Sequence, residues 1–172
     1  LVEGRYGFRA VDATPSTRAW LASLEADAHA KAGREADARR ALDRAAEALS
    51  GAVGQEARPR VPFFDSVRLA GERGVISVRL GAADEGRRAL DDALRDLGPG
   101  LKIESRLLTS LARAHVRQGD VDRACHVALE SLAVARASET SPSLRDVQSL
   151  RDELAPWAGC AAVRELDSAL AT

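Results

Sequence analysis

Three glycines constrain this chain most, because each occupies the same place in a recurring pattern of small residues. Five residues after Gly33, Gly81 and Gly119 stand Ala38, Gly86 and Ala124; nine after stand Leu42, Leu90 and Ala128; twelve after stand Ala45, Ala93 and Ser131. Seven residues before them stand Ala26, Gly74 and Ala112. A glycine tolerates the positive φ that ends a helix in a tight turn, and small residues on either side of that turn let two helices approach closely. The register predicts a helix-turn-helix hairpin, used three times over.

The residues between the glycines agree. Apolar positions recur at three-and-four spacing, as in Ala38, Ala41, Leu42, Ala45 and Leu49, and again in Ala124, Ala128, Leu132 and Ala135, which marks one face of a helix. No stretch alternates as a half-buried strand would. Thr14 before Pro15 and Ser141 before Pro142 offer a cap followed by a first-turn proline, and Asp120 is placed to cap the helix through Ala124. With breaks at 33, 50–62, 81, 98–100, 119, 137–141 and 156–159, the expected helices run over 15–32, 35–49, 63–80, 84–97, 101–118, 121–137, 142–155 and 160–171. Residues 1–14 form a lead-in, and 15–172 one domain of hairpins at about 15–50, 63–97 and 101–137 with capping helices at about 142–171.

Composition narrows the classes of function. The chain is 45% hydrophobic but only 3% aromatic, so its core is built of Ala, Leu and Val. With 25 basic against 26 acidic residues, the net charge of -1 gives no whole-surface attraction to nucleic acid or to anionic membrane. The uncharged stretch 154–163 falls far short of the ~20 residues that cross a bilayer, and no signal peptide opens the chain, so a cytoplasmic location is expected. Cys125 and Cys160 fit neither a disulfide framework nor metal-ligand spacing, and read as small apolar residues. Only Lys31 and Lys102 are lysines; an Arg-, Ala-, Asp- and Gly-rich chain of this kind fits a high-GC bacterial genome. Opening on Leu1, it reads as a piece of a longer or processed product.

The register resembles the tetratricopeptide repeat, most clearly in Leu108, Leu111, Ala112, His115, Gly119, Asp120, Ala124 and Ser131, with histidine where that family usually has tyrosine. Anchor spacings of 48 and 38 residues exceed the 34 of the family, which lengthens the connections near 51–61 and 98–101. Read in order, Arg18-Ala19-Trp20-Leu21 with Glu25, Phe64-Asp65, Leu69 to Gly74, Leu111 to His115 with Gly119-Asp120, Leu144 to Asp146, Leu154 to Pro156 and Ala162 to Glu165 resemble the C-terminal tetratricopeptide region of actinobacterial Cro/CI-type helix-turn-helix transcriptional regulators. The resemblance covers the chain from about residue 17 onward. It implies an all-α, right-handed superhelical solenoid of about three hairpins with a C-terminal capping pair. It further implies a non-enzymatic sensing or protein-interaction domain, with the DNA-reading domain upstream of this chain and no nucleic acid bound through it.

Catalytic motifs are missing from the sequence: there is no phosphate loop, H-E-x-x-H, G-x-S-x-G or dinucleotide fingerprint. His29 and His115 both stand four residues before an anchor glycine, and equivalent repeat slots point to packing rather than metal or proton transfer. Cys125 and His126 are adjacent and diverge by about 100° on a helix, so they cannot pair. No cofactor is expected. If the tetratricopeptide register holds, the residues thirteen, ten, six, three and two before each glycine face the concave groove. These are Trp20, Ser23, Asp27, Ala30 and Lys31; Arg68, Gly71, Val75, Val78 and Arg79; and Arg106, Thr109, Arg113, Val116 and Arg117.

That groove is basic through Arg68, Arg79, Arg106, Arg113 and Arg117, and arginines in a partly desolvated channel bind carboxylates in bidentate fashion. An acidic protein or peptide, or a C-terminal carboxylate, is the matching partner; alternatively these arginines pair internally with acids such as Glu72 and Glu104. The aromatics, Trp20 and Trp157 with Phe63 and Phe64, are expected to fill gaps between helices. The apolar side of the last helix, Val163, Leu166 and Leu170, either caps the array or docks a second copy as a homodimer. A free-standing adaptor and a small helical enzyme built on His29, His115 and a carboxylate stay open as alternatives.

Overall fold

The computed structural model describes residues 14–51, 64–97, 101–137 and 141–171. All of its regular structure is helical, with no strand among the described residues. Eight α-helices follow in order: α1 Pro15–Lys31, α2 Glu35–Ser50, α3 Ser66–Arg79, α4 Ala83–Asp96, α5 Leu101–Gln118, α6 Val121–Ala137, α7 Ser141–Glu153 and α8 Ala161–Leu170, with a 3-10 turn at Ala155–Trp157 before α8. The lead-in to residue 13, the 52–63 and 98–100 connections, and Phe63 at the expected start of the third helix lie outside the described residues.

Gly33, Gly81 and Gly119 carry positive φ of 69°, 94° and 78°, as the register requires. Each closes its helix with the same two backbone bonds. The glycine N–H donates to the carbonyl three residues back (Ala30, Val78 and Val116, at 3.0, 3.1 and 3.0 Å) and the next N–H to the carbonyl five back (His29, Ser77 and His115, at 2.9, 2.9 and 3.0 Å). These bonds satisfy carbonyls that a helix end otherwise leaves orphaned. The small residues on either side are buried: Ala26, Ala112, Ala38 and Ala124 are fully inaccessible. In the middle pair the helices leave no room for a side chain at Gly86, where a Cβ would meet the Val78 backbone N at 2.8 Å and the Gly74 carbonyl O at 3.0 Å.

Helix starts follow side-chain chemistry. Thr14 Oγ1 accepts the Thr17 N–H at 3.2 Å and Asp120 Oδ1 accepts the Arg123 N–H at 3.1 Å, while Asp65 Oδ1 takes the Arg68 N–H at 2.9 Å at the head of α3. The seventh helix already includes Ser141, one residue earlier than its expected cap role allowed, and ends at Glu153.

The chain divides into two compact units, with the boundary between Leu69 and Ala70 inside α3. In the first unit α1 pairs with α2 along a seam of Ala19, Ala26, Ala30, Ala38, Ala41 and Ala45, with Leu42, Phe64 and Leu69 as its large buried side chains. Ser16 Oγ donates to the Phe64 carbonyl and accepts the Phe64 N–H, both at 2.8 Å. In the second unit α5 packs against α4, α6 and α7, and α6 against α7 and α8. Its core is bulkier, with Leu90, Leu107, Leu150, Leu154 and Leu166 each at most 2% exposed. Each such side chain contributes roughly 1.5–3 kcal/mol on burial.

Candidate interaction surface

The five arginines expected to line a groove are held in different ways. Arg106 forms a two-pronged pair with Glu72, its second amino group 2.9 Å from Oε2, linking α5 to α3. Arg113 donates from Nε to Glu153 Oε1 at 2.7 Å and to the Asp146 carbonyl at 3.3 Å, tying α5 to α7. Arg117 donates one N–H to the Val78 carbonyl and is otherwise exposed. Arg79 is half-buried on the last turn of α3, and Arg68 half-buried on its first turn, in the first unit. The expected alternative, internal pairing with acids, therefore describes Arg106 with Glu72, and Glu153 is an acid that sequence reasoning did not name.

Several positions expected to face a groove are core. Val75 is 3%, Val78 2% and Thr109 1% exposed, and Gly71 lies under Leu107, whose methyl carbons would come within 3.0 Å of a Cβ placed there. The reason is packing of α5 directly on that face of α3, driven by Leu107, Leu108 and Leu111 against the two valines. Thr109 turns inward to polar partners instead. Its Oγ1 lies 2.7 Å from Ser131 Oγ and donates to the Ser105 carbonyl at 2.9 Å, within a fully buried trio of Ser105, Thr109 and Ser131. In the first unit Ser23 is buried with its hydroxyl on the Trp20 carbonyl at 2.7 Å, and Asp27 pairs with Lys31 at 2.7 Å.

Arg117 and Gln118, at the end of α5, border a depression of about 550 Å³ with residues 81–85 and Arg88. Asp84 and Glu85 also line it, and Gln118 donates to Asp84 at 2.5 Å, so its rim mixes both signs of charge.

The histidines differ. His29 Nδ1 accepts from Arg34 Nε at 2.9 Å, which leaves its proton on Nε2 facing Glu25 at 3.5 Å. His115 is 12% exposed with Nδ1 buried and unpartnered, 3.9 Å from Asp120, and burial holds its pKa below the usual 6.5 against the pull of that carboxylate. Cys125 is buried and its thiol is pushed above the ordinary range by desolvation, whereas Cys160 is half-buried at the head of α8. Trp157 packs against the core, while Trp20 stays 36% exposed. Among the described residues no three His, Cys, Asp or Glu side chains group as a metal site, and no helix is long and apolar enough to cross a membrane.

Comparison with family models, with curated proteins and with solved structures gives no match for this chain.

Proposed function

We propose that this chain is a non-enzymatic helical-repeat module that holds a protein or peptide partner. Following the resemblance in its sequence, we place it as the sensing part of a bacterial transcriptional regulator, folded as a right-handed solenoid of tetratricopeptide hairpins. The observation that carries this reading is the threefold return of one hinge: a positive-φ glycine, the same two closing hydrogen bonds, and inaccessible small residues at equivalent offsets. Arrays of such pairs present extended surfaces made of first helices, and partner binding is what those surfaces supply. The partner it fits is an acidic segment meeting the second unit at Arg117, with Arg88 lining the same depression; Arg106 and Arg113 serve to hold α5 against α3 and α7.

Coupling to transcription would need a ligand that binds two arrangements of the helices with different affinity. The test is titration of a fluorescent Glu-rich peptide with a free C-terminal carboxylate, followed by anisotropy. Saturable binding that falls at least tenfold in Arg117→Glu supports the reading, and binding unaffected by Arg117→Glu and Arg79→Glu refutes it.

A further inference from the structure

The residue twelve before each hinge glycine is leucine in all three hairpins: Leu21, Leu69 and Leu107. Two of these are buried, Leu69 at 5% and Leu107 at 2%, whereas Leu21 is 39% exposed. In α5 the cause of burial is direct. Leu107 seats its methyl carbons on Gly71 of α3, a residue small enough to admit them, and the neighbouring Arg106 pairs with Glu72 of the same helix. A leucine in this slot is thus the surface by which one first helix receives another, and a small residue opposite is what lets the second helix in.

The first hairpin carries the same leucine in a more apolar setting. Trp20 replaces the arginine of α5, and Leu24 stands where α5 has Ser110. Trp20, Leu21 and Leu24 are the exposed large hydrophobic side chains among the described residues, at 36%, 39% and 48%. Thr17, Leu21, Leu24 and Ala28 follow four-three-four spacing, so they lie along one stripe of α1, with Ala28 also exposed. A contiguous stripe of this kind, where the other leucines among the described residues are buried or half-buried, marks an interaction surface.

We propose that the outer face of α1, formed by Trp20, Leu21 and Leu24, docks an amphipathic helix of a partner that presents glycine or alanine to Leu21, as α3 presents Gly71 to Leu107. The seat of Leu107 on Gly71 is the template for the contact that Leu21 would make. A helix is the fitting occupant because α1 offers side-chain ridges and no unpaired backbone edge. The incoming helix is apolar where α3 has Glu72, since Trp20 gives that acid no cation to meet. This surface is distinct from the Arg117 edge, and its occupancy does not depend on a carboxylate ligand.

The probe is a stapled, end-blocked peptide with the α3 sequence, residues 66–79, carrying Glu72→Leu. Trp157→Phe protein leaves Trp20 as the reporting tryptophan. The expected result is a saturable blue shift of Trp20 emission, weakened at least tenfold by Leu21→Asp with Leu24→Asp in the protein and equally by Gly71→Leu in the peptide. The peptide variant keeps the test independent of whether the protein variant folds. No saturable shift up to millimolar peptide overturns the proposal, as does equal binding of the Gly71→Leu peptide. A shift that follows protein concentration alone, with a dimer in sedimentation, assigns the face to a second copy and also overturns it.

Discussion

His115 shows how one side chain can be well placed and still be a weak point. It fills a slot beside Gly119, its carbonyl accepts the closing hydrogen bond from the Asp120 N–H at 3.0 Å, and its buried Nδ1 makes no hydrogen bond, with the Asp120 carboxylate 3.9 Å away. Desolvation favours the neutral ring; Asp120 and Asp91 favour the charged one, and Arg123 and Arg87 oppose it. Because the folded pKa lies below the unfolded value of 6.5, the unfolded chain takes up the proton first. This contribution to stability is whole above pH 6.5 and is lost as pH falls from there through the folded pKa. Urea unfolding of wild type and His115→Phe should diverge accordingly, with the variant losing less stability between pH 7.5 and 5.5; parallel losses would remove His115 from the account. The sequence already placed this histidine as a packing residue, through its equivalence with His29. Its missing partner was not legible, because that depends on which atoms of α4 and α6 crowd it. Asp65 could have been read as a cap from its place three residues before Arg68 and ahead of an apolar run.

At the scale of helices, the glycines divide into two kinds that sequence alone treats alike. Gly81 needs its φ of 94°, yet an added Cβ there meets nothing within 4 Å. Gly86 is ordinary helix, yet an added Cβ meets backbone of α3. Alanine at Gly81 should cost about 1–2 kcal/mol from conformation alone. At Gly86, α3 and α4 must move apart, and the loss should be roughly 2–3 kcal/mol even after alanine's better helix propensity. Chemical denaturation of the two variants orders them; a Gly86→Ala loss no larger than that of Gly81→Ala would mean the pair can yield. The helix ends at Gly33, Gly81 and Gly119 were legible because a hinge and its flanking small residues are local constraints. The inward face was legible only in part. Whether Val75, Val78 and Thr109 meet solvent or α5 depends on how successive first helices pack, and Leu107 settles that from a distant stretch of chain.

Across the whole molecule, the two units bury different amounts of hydrocarbon. The α1–α2 seam is mostly alanine, while α5 and α6 sink Leu107, Leu111, Val127 and Leu132 into a core shared with α7 and α8. At about 0.8 kcal/mol per buried CH₂, that difference sets local stability. Hydrogen exchange should find the mid-helix amides of α1 and α2 protected at least tenfold less than those of α5 and α6, and equal protection would contradict the comparison. The all-helical class was fully legible from periodicity; the boundary between Leu69 and Ala70 was not, since it falls inside one continuous helix whose glycines, Gly71 and Gly74, admit Leu107 and Leu90 and do not end it.

The buried hydroxyls between α5 and α6 have a further consequence. Two smooth surfaces of alanine and leucine can slide past each other by a helical turn and still fit, so shape alone leaves several alignments nearly degenerate. Ser105, Thr109 and Ser131 interlock in one of them, with Ser131 Oγ also reaching the Ser105 carbonyl at 2.9 Å; a slip takes Ser131 away from both of its α5 partners, while Thr109 keeps only the bond to the Ser105 carbonyl in its own helix. They act as a key in a keyway, fixing the axial setting of α6 on α5, where hydrocarbon supplies adhesion without a ruler.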